Sequence, residues 1–157
     1  MTCMAKKEWS MVQLIAKVEA YCASGEHCIS DVRYRLNQWE VSDEHVDEII
    51  THLMHNKYID EVRYCHAFVH DKVAYQGWGR MKIRAYLCAK HLPSDAIDQA
   101  LSNMDENEYR TTLNRVIASK QRSLKSSDSL AREKLIRFCM QRGFTYEEIK
   151  QVINQND

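Results

Sequence analysis

The residues of this 157-residue chain best suited to hold a metal or act as nucleophiles are seven histidines and six cysteines. His66 and His70 stand at i and i+4, which puts two imidazoles on one helix face, and His52 and His55 stand at i and i+3. Neither pair carries the glutamate of an H-E-x-x-H motif, and no two cysteines form a C-x-x-C pair. Cys65 adjoins His66 but points about 100° away on the same helix. No metal and no cofactor are therefore expected. The carboxylate pairs Asp43/Asp47 and Glu44/Glu48 fall on the polar face of a surface helix, where solvation accounts for them without acid–base work. A G-x-S-x-G elbow and the glycine patterns of phosphate loops are both missing. The chain is expected not to be an enzyme and to have no catalytic residue. Cys3, Cys22, Cys28, Cys65, Cys88 and Cys139 read as reduced thiols of a cytoplasmic protein, several of them filling helix cores.

Binding chemistry is better represented. The 22 basic and 22 acidic residues cancel, but they are segregated. Residues 40–61 carry seven acids and one lysine, and residues 95–108 carry five acids and no base. Between them, residues 72–94 carry Lys72, Arg80, Lys82, Arg84 and Lys90 with no acid. Residues 109–127 carry Arg110, Arg115, Lys120, Arg122 and Lys125, again without an acid. Two basic strips of this kind suit an acidic partner, either a phosphate backbone or an acidic protein groove; acidic and basic helices facing each other are the alternative. Tyr75, Trp78 and Tyr86 lie within the first strip, where exposed aromatics beside cations can stack bases. Packing is the expected role of Tyr86, while the Gly77-Trp78-Gly79 frame suggests an exposed bend.

Helices must position these groups. Gly occurs four times and Pro once, too few for the turns of an all-β fold. No stretch approaches the roughly 20 apolar residues that span a bilayer, and no signal-peptide core precedes the first amphipathic segment. Apolar residues recur at helical spacing, most clearly at Val46, Ile49, Ile50, Leu53 and Met54. Helices are expected at 10–24, 30–39, 42–56, 61–75, 79–91, 94–103, 106–123, 128–142 and 145–155. Gly25 and Gly143 serve as stops, and Ser42 and Thr145 as N-caps. Ile83, Tyr86 and Leu87 form one apolar stripe of the 79–91 helix, and Met81, Ala85, Cys88 and Leu92 a second on the opposite side. That pattern predicts a helix sandwiched between neighbours.

The segments also resemble one another. Leu36, Leu87 and Cys139 each precede Val41, Leu92 and Phe144 by five residues; Val46, Ile97 and Ile149 follow by five more, then Ile50, Leu101 and Ile153 by four. The offsets between copies are 51 and 52 residues. The expected fold is all-α, with about nine helices in three tandem three-helix repeats stacked into an elongated, curved array. The repeats fall at 10–58, 59–104 and 105–157, the second carrying the first basic strip. Such an array offers a surface for binding rather than an enclosed pocket.

The run from Tyr58 to Lys72, YIDEVRYCHAFVHDK, followed by Trp78 to Leu87, WGRMKIRAYL, resembles the central signature of the RecX regulatory proteins. In that family an acidic pair opens a helix carrying Arg, an aromatic and Ala; a lysine, a glycine, a basic residue and then Ile, Arg and Leu follow. The Arg142-Gly143-Phe144 turn fits the same pattern. Val62 departs from it where an acid is common, as do Cys65, His66 and Cys139. The resemblance implies a bacterial cytoplasmic protein that binds the RecA recombinase filament and modulates, chiefly by inhibition, its strand exchange, ATPase and coprotease activities. These belong to DNA repair and the SOS response. It also implies a basic surface able to contact single- or double-stranded DNA.

The residues expected to bind the partner or DNA are Lys72, Trp78, Arg80, Lys82, Arg84 and Lys90, with Arg115 and Arg122 from the second strip. Arg115 and Arg122 lie about 20° apart on their helix. Reversing Arg80 and Arg84 is expected to weaken binding while leaving helicity intact. A monomer without a membrane segment is expected. A direct DNA-binding helical protein and a scaffold for some other protein are the alternatives, although the 42–56 helix is too acidic to enter a DNA groove.

Overall fold

Nine α-helices and no strand make up the described residues, 8–156, of a computed structural model. They are α1 (Met11–Ala23), α2 (Ile29–Gln38), α3 (Asp43–His55), α4 (Glu61–Ala74), α5 (Arg80–Ala89), α6 (Ser94–Ser102), α7 (Glu106–Ser123), α8 (Ala131–Gln141) and α9 (Tyr146–Asn156). Local chemistry sets several of these ends. Ser10 and Gln13 form a reciprocal capping box at α1, and the Asp105 carboxylate accepts the Glu108 N–H at α7. At α9 the Thr145 N–H donates to Glu148 Oε2 at 2.9 Å while the Glu148 N–H donates to Thr145 Oγ1 at 3.2 Å. Helix α8 begins at Ala131, later than the expected 128. Asp128 Oδ1 accepts the Leu130 N–H at 2.9 Å, an Asx turn that competes with the helix.

The repeat seen in the sequence has a backbone counterpart. After α2, α5 and α8 the chain turns through one residue of positive φ: Glu40 (57°), His91 (61°) and Gly143 (101°). The next amide reaches back to the helix in every case. Val41 N–H donates to Leu36 O at 3.1 Å, Leu92 N–H to Leu87 O at 3.2 Å, and Phe144 N–H to Cys139 O at 3.2 Å. Glu40, His91 and Gly143 donate to Asn37, Cys88 and Met140. These are Schellman turns, in which the two apolar residues joined by the longer bond also pack together. The five-residue spacing noted in the sequence is this turn.

The helices fall into two compact units, one ending at Tyr64 and the other beginning at Cys65. In the first, α1 buries Leu14, Val18 and Cys22, one residue per turn, against Val32 and Leu36 of α2 and Val46, Ile49, Ile50 and Leu53 of α3. In the second, α5 packs on α6, and α7 packs on both α8 and α9. Its buried side chains include Val69, Val73, Ile83, Leu87, Ile97, Leu113, Ile117, Phe144 and Ile149. Along α5 itself only one of the two apolar stripes is covered. Ile83 and Leu87 of the first stripe are buried, with Tyr86 exposed at its edge, whereas in the second Met81 is 57% exposed, Ala85 and Cys88 face solvent, and Leu92 alone is buried, in the turn beyond the helix. The helix is therefore not sandwiched as the sequence pattern suggested.

All five described cysteines are free thiols; Cys3 lies outside the described residues. Cys22, Cys28, Cys65 and Cys139 are buried and Cys88 is exposed. Burial pushes the Cys139 thiol up to about 11, which keeps it protonated and unreactive at neutral pH. Iodoacetamide applied to the folded protein is thus expected to alkylate Cys88 and spare Cys139, as peptide mapping by mass spectrometry would show. Equal labelling of both would contradict the burial.

Candidate macromolecular interface

The eight residues expected to bind a partner separate into three groups. The first is a cluster of lysines and aromatic rings between α4 and α5. Phe68 and Lys72 stand one turn apart on α4, Lys82 and Tyr86 stand one turn apart on α5 with Lys90 a turn further at its C-cap, and Trp78 comes from the link between the helices. Phe68 stacks on Tyr86 with ring centroids 5.2 Å apart, and Trp78 meets Tyr86 edge-on at 5.7 Å and Phe68 at 6.2 Å. The ammonium groups of Lys72 and Lys82 lie 4.7 and 4.4 Å from the Trp78 ring, and that of Lys90 lies 5.4 Å from the Tyr86 ring. Cation–π contacts of this kind hold ammonium groups over ring faces. Tyr86 packs as expected, yet it remains 43% exposed. Trp78 is half-buried beneath two lysines rather than standing on an open bend. Phe68 joins the site without having been singled out; its four-residue spacing from Lys72 was the available signal.

The second group is Arg80 and Arg84, and both are ion-paired inside the chain. Arg80 Nη1 donates to Glu148 Oε1 at 3.2 Å, its Nη2 bonds Glu106, and its guanidinium lies 4.1 Å from the Tyr109 ring. The Arg80 N–H donates to the Tyr109 hydroxyl at 3.0 Å, which donates to Glu148 Oε2 at 3.1 Å. Burial raises the Tyr109 phenol above its ordinary value; the neighbouring Glu148 carboxylate pushes the same way and Arg80 opposes it. Tyr109 therefore stays a hydroxyl donor at neutral pH. Arg84 pairs with Asp98 at 2.6 Å, matching Arg33 and Asp47 at 3.1 Å one repeat earlier. The third copy has Ile136 and Lys150 at those two positions and no such pair. Arg80 is thus a strut between α5, α7 and α9, and Arg84 a tie between α5 and α6.

Two glycines bring those elements together. The Gly79 N–H donates to Arg142 O at 2.8 Å and the Met81 N–H to Gly143 O at 3.0 Å, so carbonyls of the α8–α9 turn complete the first turn of α5. A Cβ on Gly79 would stand 2.3 Å from the Gly143 carbonyl carbon, and one on Gly143 would stand 2.4 Å from Lys82 Cβ. The same close approach holds Lys82 beside Trp78.

Arg115 and Arg122 form the third group. They line an open groove of about 560 Å³ with Arg142, Phe138, Val116 and Tyr75. Among the residues singled out for metal chemistry, His66 and His70 line a separate groove of about 250 Å³ beside Asp105 and Glu108. No group of three or more His, Cys, Asp or Glu side chains stands in a metal-holding arrangement among the described residues. His52 instead pairs with Glu19 at 2.7 Å. No helix among the described residues is long and apolar enough to cross a membrane.

Tandem three-helix units, a recurring turn and cationic–aromatic surfaces define the class: an all-helical repeat protein. Residues 60–101 match the family model for the second three-helix domain of RecX, and residues 107–153 that for the third. The chain belongs to the RecX family of regulatory proteins. It is 33% identical over 129 residues to the regulatory protein RecX of Clostridium botulinum strain Alaska E43, covering 79% of this chain and 59% of that one. With the Clostridium tetani protein it shares 28% identity over 70% of this chain and 51% of the relative. The chain thus spans between half and three-fifths of the length of these two relatives. With the Vibrio parahaemolyticus protein it is 23% identical, covering 84% of each. Two crystal structures of RecX have the same fold. One, of regulatory protein RecX, has a TM-score of 0.84 at 17% identity, covering 92% of this chain and 73% of the other. The RecX of Lactobacillus salivarius has a TM-score of 0.80 at 15% identity, covering 92% and 95%.

Proposed function

We propose that this chain binds the RecA recombinase filament and inhibits its recombinase, ATPase and coprotease activities, without catalysing a reaction itself. Family membership supports this reading, and the observation that carries it is the Phe68–Trp78–Tyr86 cluster with Lys72, Lys82 and Lys90 around it. That cluster lies within the segment of strongest family resemblance. Aromatic rings beside ammonium groups suit a partner surface of carboxylates and apolar side chains, because the rings supply area and the lysines orientation. The working repeats are 10–58, 59–104 and 105–157, with the cluster in the second. The chain acts as a monomer in the cytoplasm, where its partner operates in DNA repair and the SOS response.

An assay of RecA ATPase on single-stranded DNA tests the proposal. Stoichiometric addition of the protein should lower the hydrolysis rate. The double variant Lys72→Glu, Lys82→Glu should require about ten-fold more protein for the same effect, a loss of about 1.4 kcal/mol of binding. An unchanged rate together with no binding to the filament would remove the recombinase as partner. Equal potency of variant and wild type would remove the cluster as the contact.

A further inference from the structure

His66 and His70 have no part in the recombinase reading. Four residues apart on α4, they project from one face with about 5–6 Å between Cβ atoms, and both line the groove of about 250 Å³. Their rings are placed to donate lone pairs. His70 Nδ1 lies 3.3 Å from Asp71 Oδ1, and an ionised carboxylate only accepts, so Nδ1 carries the proton and Nε2 keeps its lone pair. A carboxylate behind an imidazole is the arrangement that orients metal-binding histidines. Tyr75 meets the same ring edge-on, with centroids 6.2 Å apart. His66 is half-buried and makes no hydrogen bond or ion pair among the described residues. The pair at His52 and His55 differs, because His52 Nε2 engages Glu19 at 2.7 Å and its Nδ1 engages Asn56 at 3.3 Å. Across the groove from His66 and His70 stand Asp105 and Glu108, at the start of α7. Asp105 Oδ1 accepts the Glu108 N–H at 2.9 Å, and neither carboxylate has a cationic partner among the described residues. No Lys or Arg lines the groove, so its field favours a cation.

From this arrangement we propose that His66 and His70 together bind one divalent transition-metal ion across a turn of α4, with water in its remaining positions and Asp105 and Glu108 supplying opposing charge. Two imidazoles select Zn²⁺, Ni²⁺ or Cu²⁺ over the oxygen-seeking Mg²⁺ and Ca²⁺. Only two side chains ligate, in keeping with the absence of any larger metal-holding group among the described residues. Joining two positions one turn apart fixes a helical segment, so an ion that binds the folded chain stabilises α4. The same segment carries Phe68 and Lys72, and the ion braces the helix that presents them. The assignment stands whether or not a recombinase is the partner.

Calorimetric titration of the full chain with nickel, zinc and magnesium chlorides tests the proposal. Cys88→Ser is the background for every measurement, because an exposed thiol is a competing ligand. Ni²⁺ and Zn²⁺ should bind and Mg²⁺ should not, and Ni²⁺ should raise the melting temperature. Loss of a mere supporting partner costs a metal site about 10–100-fold, so His66→Ala and His70→Ala should each weaken Ni²⁺ binding at least about ten-fold and abolish the rise in melting temperature. Circular dichroism checks the fold. If His66→Ala, at a half-buried position, loses helicity, His70→Ala at its exposed position decides the matter. Failure of the chain to bind either Ni²⁺ or Zn²⁺ overturns the proposal. So does binding that either folded histidine variant leaves intact, since a chelate needs both rings. Equal affinity for Mg²⁺ would place the ion on the carboxylates and overturn the imidazole assignment.

Discussion

Gly143→Ala should lower the free energy of unfolding by about 3 kcal/mol or more, whereas Glu40→Gly and His91→Gly, at the same turn of the other two repeats, should change it by no more than about 1 kcal/mol. The left-handed conformation costs a non-glycine residue about 1–2 kcal/mol. Glu40 and His91 already bear that cost, and their replacement by glycine exchanges it for backbone entropy. At Gly143 a second effect adds to the first. Its Cβ would meet Lys82 Cβ at 2.4 Å and Lys82 N at 2.6 Å, and overpacking against backbone adds about 1–3 kcal/mol. Gly79→Ala isolates that second effect, since its new Cβ would meet the Gly143 carbonyl and the Phe144 amide nitrogen at 2.3–2.4 Å without a change of φ region. Urea denaturation of the four variants measures these differences. A Gly143→Ala protein within about 1 kcal/mol of wild type would show that the two backbone segments can separate cheaply.

Charge reversal should likewise distinguish Arg80 from Arg84. Arg80→Glu would bring a third carboxylate to Glu106 and Glu148 and leave Glu148, itself only about a quarter exposed, without its cation. A loss of about 3 kcal/mol is expected, since stranding a mostly buried charge costs about that much. Arg84→Glu breaks a half-exposed pair with Asp98 and should cost no more than about 1 kcal/mol. Thermal melts followed by circular dichroism read both. Similar melting temperatures for the two variants would mean that the Arg80 network contributes nothing beyond an exposed pair. The expectation that reversal at both positions leaves the fold untouched is thus replaced by one in which Arg80 is structural. Lys72 and Lys82 are the better probes of partner contact.

Helix positions were legible in the sequence because periodic apolar residues and scarce breakers carry that information locally. The Leu36–Val41, Leu87–Leu92 and Cys139–Phe144 spacing even encoded a specific turn. The division of the basic residues was not legible. Arg80 and Lys82 are two residues apart in one charge block, yet one turns toward Glu106 and Glu148 and the other toward Trp78. Their fates depend on α7 and α9, far along the chain, and segment charge alone does not reveal such partners. Arg142 was noted only as part of a turn, and its place beside Arg115 follows from packing between α4, α7 and α8. Cys139, a departure from the family pattern, occupies its core position fully buried, so a thiol serves there as a small apolar filler.

The amino end of α5 is completed by oxygens of Arg142 and Gly143, which leave the ribosome long after α5 itself. At about 5–20 residues per second, the delay lasts several seconds. During synthesis the amides of Gly79 and Met81 have only water as their acceptor. The first turn of α5 in a nascent chain thus waits, frayed at its amino end, until the α8–α9 turn has been translated.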